Sequence, residues 1–140
     1  MKERILFLCT GNSCRSQMAE GIANKVLSKD ITIRSAGTEA HGVNLIAVEV
    51  MNDISIPISH HQSEKINYKD IEKFDLIITL CGDARDKCPV IEPKHRHIHW
   101  TIDDPASFKG DHENIKKKYA EVRDLIFDKI TDLKDRLGDI

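Results

Sequence analysis

The chain is short of the residue types that define most non-globular proteins. Its 140 residues include only 7 glycines, 4 prolines and 4 cysteines, and aromatics make up 5%. That composition excludes collagen-like and low-complexity chains. Four cysteines are too few for a small secreted disulfide scaffold, and their spacing points to chemistry instead. No stretch approaches the ~20 apolar residues of a membrane span. Neither charge dominates: 21 Lys and Arg stand against 23 Asp and Glu, a formal net charge of −2. That balance gives no general attraction to nucleic acid or to an anionic membrane surface. Lys2 and Arg4 before Ile5-Leu6-Phe7-Leu8 resemble the start of a signal peptide, but the apolar run stops at Cys9. A signal core takes about 7–15 apolar residues. A cytoplasmic location, where thiols stay reduced, is therefore expected.

What remains is a globular composition, with 40% hydrophobic and 31% charged residues. The length fits one domain over residues 1–140, and no repeat or linker divides it. A chain of this size buries about two-thirds of its unfolded surface, enough for a core without staples.

Hydrophobic periodicity then switches along the chain. Ile5–Leu8 is a continuous apolar run, as in a strand buried on both faces. From Ser16 to Leu27, Met18, Ile22 and Val26 recur every fourth residue, with Ala19 and Ala23 beside them, which predicts an amphipathic helix. Ile31–Ser35 reads as a second strand closed by Gly37. Asn44 suits the cap of a helix through Ala47, Val48 and Met51. Leu76–Leu80 is a β-branched run, and His95–Trp100 alternates like a fourth strand. A long helix carries Ile115, Tyr119, Val122, Ile126, Ile130, Leu133 and Leu137. Alternating strands and helices predict an α/β fold, a parallel sheet with helices on both faces. Ligands in such folds bind beyond the carboxyl ends of the strands, where Cys9 and Cys81 both fall.

Cys9-Thr10-Gly11-Asn12-Ser13-Cys14-Arg15-Ser16 joins the first strand to the first helix. Gly11 and Asn12 tolerate positive φ, so this loop can curl around a small site. A curled loop feeding a helix N-terminus aims N–H groups and the positive dipole end at an anion. Arg15 adds a planar fork for two oxygens of a tetrahedral oxyanion. The same field favours a thiolate at Cys9, a nucleophile. Cys-x5-Arg-Ser in this setting resembles the low-molecular-weight protein tyrosine phosphatases. That resemblance implies a four-stranded parallel sheet in the order 2-1-3-4 and an oxyanion held by residues 10–16. Gln17 stands where those phosphatases carry proline.

Cys81 and Cys88 form a Cys-x6-Cys pair across polar residues, unlike the spacing of a zinc knuckle or of thioredoxin. The loop, Gln17, this pair, Cys88-Pro89, Trp100 and Asp103-Asp104-Pro105 together resemble the thioredoxin-coupled arsenate reductases, over nearly the whole chain. The resemblance implies arsenate reduction to arsenite, serving arsenic detoxification, with phosphate or sulfate as mimics of the substrate. Cys9 attacks arsenic, Cys81 takes the sulfur as Cys9–Cys81, and Cys88 passes the bridge on as Cys81–Cys88 for thioredoxin to reduce. Asp104 fits the family's general acid, with Asp103 its adjacent competitor. Cys14 stays outside the obligatory relay, inert or bridging to Cys9 under oxidation. A monomer with no obligatory cofactor is expected. Some members hold a potassium ion near positions matching Asn12, Glu20 and Ser35, but they carry Thr and Asp where this chain has Gln62 and Glu64.

His95, His97 and His99 would share one strand face as metal ligands might, but solvated histidines on a strand need no ligand, and no metal is expected. Trp100 is expected to pack near the site's rim. A helix over residues 82–88 would separate Cys81 from Cys88 by about 10 Å. A disulfide needs Cα atoms about 4.4–6.8 Å apart, so bridging would require that segment to refold. Two rivals share the loop: a tyrosine phosphatase, which needs neither Cys81 nor Cys88, and a non-enzymatic thiol redox sensor or arsenical-binding module, which gives no reason for Asp104.

Overall fold

The computed structural model describes residues 3–81 and 91–138. Its elements run β1 (Arg4–Cys9), α1 (Arg15–Val26), β2 (Thr32–Gly37), α2 (Leu45–Asn52), β3 (Leu76–Thr79), β4 (His97–His99) and α3 (His112–Gly138). Single 3-10 turns lie at Ile71–Lys73 and Pro105–Ser107. The strands form one parallel sheet in the order β2-β1-β3-β4. From β1 the chain goes first to one side and then to the other, which opens a crevice at the carboxyl ends of the strands.

Alternation along β1 explains why its run is apolar throughout. Ile5 and Phe7 join the main core with Leu76, Ile78 and Leu80, while Leu6 and Leu8 face the other way with Ile77. On the main face α1, α2 and α3 pack together, burying Met18, Ile22, Val50, Met51, Tyr119, Ile126 and Ile130. Truncating the fully buried Ile22 to alanine would cost about 2–5 kcal/mol. The second face is covered by Ile66, Ile71, Phe74 and Ile91, so its helical cover among the described residues is the turn at Ile71–Lys73.

The element boundaries follow from caps. Asn44 Oδ1 accepts from the amides of Ile46 and Ala47 and so starts α2. Asp111 Oδ1 accepts from the Asn114 amide, which starts α3 ahead of its first apolar residue, Ile115. β4 is shorter than the His95–Trp100 alternation predicts. His95 is held in a turn by its amide bond to the Glu92 carbonyl, and the ladder ends where the Trp100 amide donates to Thr79. Among the described residues, no helix is long and apolar enough to cross a membrane.

Candidate active site

The loop between β1 and α1 is held from outside. The carbonyl of Thr10 accepts from the Glu39 amide and the Thr38 hydroxyl. That of Gly11 accepts from the His41 amide and Ser63 Oγ, and that of Ser13 from the Asn44 amide. With carbonyls turned outward, the intervening N–H groups turn inward. Asn12 sits at φ 48°, the left-handed conformation its short amide side chain tolerates. Gly37, at the end of β2, permits this closeness, because a Cβ there would lie 2.5 Å from the Thr10 carbonyl oxygen and 2.7 Å from the Asn12 nitrogen. Among the described residues no side chain caps the N-terminus of α1, and its first turn has no acid. The positive dipole end of α1 thus favours an anion at this loop.

The enclosed cavity is about 200 Å³ and is lined by Cys9, Thr10, Gly11, Ser13, Cys14, Arg15, His41, Asp104, Ala106 and Ser107. Sequence reasoning placed Cys9 and Cys81 at one sheet edge, and the resemblance added residues 10–16 and Asp104. The cavity lining brings together Cys9, Thr10, Gly11, Ser13, Cys14, Arg15 and Asp104, but not Asn12, Ser16 or Cys81. Sequence reasoning missed His41, Ala106 and Ser107. No spacing tied His41 to the loop, and only the Pro105 turn hinted at the other two.

Arg15 is buried, with 2% of its surface exposed. Its Nη1 donates to the carbonyls of Leu80 at 3.0 Å and Ile102 at 2.9 Å, which fixes the fork between the ends of β3 and β4. Nη2 lies 3.6 Å from Asp104 Oδ2. Asp104 also caps its 3-10 turn, its Oδ1 accepting from the Ala106 amide. Asp103 lines a different surface depression with Lys118 and Glu121, so of the two adjacent acids only Asp104 reaches the cavity.

The thiols occupy different settings. Cys9 is buried, its Sγ 2.8 Å from Ser16 Oγ. Asn12 Nδ2 donates to the same oxygen, so the Ser16 hydroxyl bridges the Asn12 amide and the sulfur. Cys14 lies against Ser13 Oγ and the Tyr119 hydroxyl, and burial pushes its thiol up to about 11. Burial and the neighbouring Cys14 also raise the Tyr119 hydroxyl well above its usual range. Cys81 is buried at the end of β3 but does not line the cavity. Cys81 follows Leu80, which packs in the main core beyond the end of β3. Cys88 lies outside the described residues, as does the segment 82–88.

Behind the loop, polar side chains close a ring. Asn12 Nδ2 donates to Ser35 Oγ, and Ser35 donates to Glu20 Oε1. His61 Nδ1 lies 3.2 Å from Glu20 Oε2 and 3.0 Å from Gln17 Oε1. Gln17 Nε2 returns to Asn12 Oδ1 and to the Asn12 carbonyl. Burial lowers the His61 pKa from 6.5 and raises that of Glu20 from 4.5, so both shifts oppose a charged pair. The contact is a hydrogen bond from a neutral ring rather than a full ion pair. Glu64 supplies its backbone amide to Asn12 Oδ1. The oxygens of Asn12, Glu20 and Ser35 therefore already receive protons from the protein, an arrangement that potassium does not fit.

The histidines of β4 have another occupation. His97 Nε2 and His99 Nδ1 both meet the buried Thr79 hydroxyl, at 2.8 and 2.6 Å, while His95 stays in its turn. Trp100 departs from expectation. It packs into the main core beside Phe7, and lines a groove with α3 instead of the cavity rim.

A 2-1-3-4 parallel sheet carrying a Cys-x5-Arg loop, with an acid across the cavity, defines a phosphatase-like oxyanion site. The profile described as low molecular weight phosphotyrosine protein phosphatase matches residues 4–139, and the chain belongs to that family. Curated relatives at 43–49% identity are arsenate reductases. The chain is 46% identical to the arsenate reductase of Oceanobacillus iheyensis, over 92% of this chain and 93% of the relative. It is 49% identical to that of Bacillus licheniformis over the same shares, 92% and 93%. A solved arsenate reductase in the phosphate binding state superposes with a TM-score of 0.77 at 26% identity, covering 96% of this chain and 98% of the other.

Proposed function

We propose that the protein reduces arsenate to arsenite by a three-thiol relay recycled by thioredoxin. The observation that carries this reading is one cavity lined by Cys9, the loop residues Thr10, Gly11 and Ser13, the anchored Arg15 fork and Asp104. The names of the relatives support arsenate as the oxyanion, and the phosphate-bound neighbour supports a tetrahedral anion in the loop.

Arsenate enters as a phosphate analogue, its charge met by Arg15 and the loop amides. The Cys9 thiolate attacks arsenic(V), and an oxygen leaves as water with the proton of Asp104, giving a Cys9–S–As adduct. The Cys81 thiolate then attacks the Cys9 sulfur. The S–As electron pair stays on arsenic, which departs as arsenite, arsenic(III), and leaves Cys9–Cys81. Cys88 attacks Cys81, freeing the Cys9 thiolate, and the dithiol of thioredoxin reduces Cys81–Cys88.

Strand spacing of about 4.8 Å and a rise of about 3.3 Å put the Cys9 and Cys81 Cα atoms on the order of 6 Å apart, within disulfide reach. Closing that bridge brings the Cys81 thiol, which does not line the cavity, to the Cys9 sulfur. The protein acts as a cytoplasmic monomer, and replacing potassium by sodium leaves turnover unchanged.

The test is arsenate-dependent NADPH oxidation with thioredoxin and thioredoxin reductase, set against glutathione with glutaredoxin. Turnover with the first couple alone is expected. Aryl phosphatase activity without arsenate turnover would favour the phosphatase reading, and binding of arsenate without either reaction would favour a sensor.

A further inference from the structure

We propose that His41 is an oxyanion-binding residue, closing the open side of the loop with its Nδ1 edge while Glu39 holds the ring from behind. This deepens the oxyanion reading of the loop and rests on it. His41 lies in the connection between β2 and α2, and its backbone amide donates to the Gly11 carbonyl at 3.0 Å, which pins it to the loop. Its Nε2 sits 2.8 Å from Glu39 Oε2. The opposite ring edge rests on Gly11, where a Cβ would come within 2.5 Å of Nδ1. Glycine is thus the residue that admits the ring, and the ring lines the same cavity as Cys9, Arg15 and Asp104.

The consequence follows from imidazole chemistry. With Nε2–H given to Glu39, a neutral ring offers the cavity only a lone pair at Nδ1. The doubly protonated ring donates to Glu39 and to an oxyanion at once. Anion binding therefore takes up a proton at His41. The other charged or titratable groups around it are Glu39 behind, Asp104 across the cavity, and Arg15, Cys9 and the neutral Cys14 thiol along the floor.

Sulfate tests this, because it stays a dianion across the range and brings no proton of its own. Calorimetry on Cys9→Ser protein, which removes that thiol's titration, reads affinity and proton uptake from pH 6 to 8. The Cys9→Ser protein should bind sulfate more weakly at pH 8 than at pH 6, the loss approaching about tenfold per pH unit at its steepest. Adding His41→Asn, which keeps a neutral donor near the Nδ1 position, should flatten the profile and abolish proton uptake. His41→Ala should bind more weakly at pH 6. Thermal melts of each variant check that it is folded. An unchanged slope and proton uptake in folded His41→Asn protein would overturn the proposal, as would undiminished sulfate affinity in His41→Ala. No arsenate turnover together with His41-dependent sulfate binding would overturn the reductase reading alone.

Discussion

Arg15 Nη1 donates to the carbonyl of Leu80 at 3.0 Å, one residue before Cys81. The guanidinium proposed to read the oxyanion is thereby tied to the strand end that carries Cys81. The same nitrogen reaches the Ile102 carbonyl, two residues before Asp104, so one buried guanidinium sets the positions of acid and thiol alike.

Arg15→Ala should therefore do more than remove a charge. Loss of one oxyanion donor costs about 3 kcal/mol of transition-state stabilisation, or roughly a hundredfold in rate. Arg15→Lys keeps the charge but cannot make the fork, and should recover little. Steady-state arsenate reduction by both variants checks this, and near-normal turnover in Arg15→Lys would contradict the anchoring role.

The two adjacent acids should separate cleanly. Asp104→Asn should lower the rate by about 10²–10⁴-fold, the usual contribution of a general acid, while Asp103→Asn should leave it nearly unchanged. Parallel kcat measurements decide it. Equal losses in the two variants would remove Asp104 from the chemistry.

Much of this arrangement was legible before any coordinates. The switch from a strand run to a four-residue period around residues 9–16 located the loop, and the sheet order came from the resemblance that its Cys-x5-Arg-Ser carries. Asp104 is preferred to Asp103 through the resemblance, because the physical choice depends on which carboxyl faces Arg15 once the 3-10 turn forms. His41 was invisible for a similar reason. It reaches the cavity through a backbone bond to Gly11, thirty residues away, and no sequence pattern records that. Alternation placed His97 and His99 on one face, but it could not show that a threonine hydroxyl of the neighbouring strand occupies both rings.

Cys14 should be chemically quiet. Burial pushes its thiol up to about 11, so at pH 7–8 it is overwhelmingly protonated and a poor nucleophile. Its alkylation by iodoacetamide in the native reduced protein should be slow at pH 7 and rise with pH toward 10. Mass mapping of alkylated peptides follows it. Rapid, pH-independent labelling of Cys14 would contradict the buried setting.

The order of the thiol relay is the central claim, and single turnover of Cys88→Ser protein tests it most directly. Reduced variant mixed with excess arsenate should release about one equivalent of arsenite and then stop even when thioredoxin is supplied, because the last exchange is missing. Peptide mapping should find Cys9 joined to Cys81. Cys81→Ser protein under the same conditions should release none. Continued turnover by Cys88→Ser with thioredoxin present, or a burst of arsenite from Cys81→Ser, would contradict the relay.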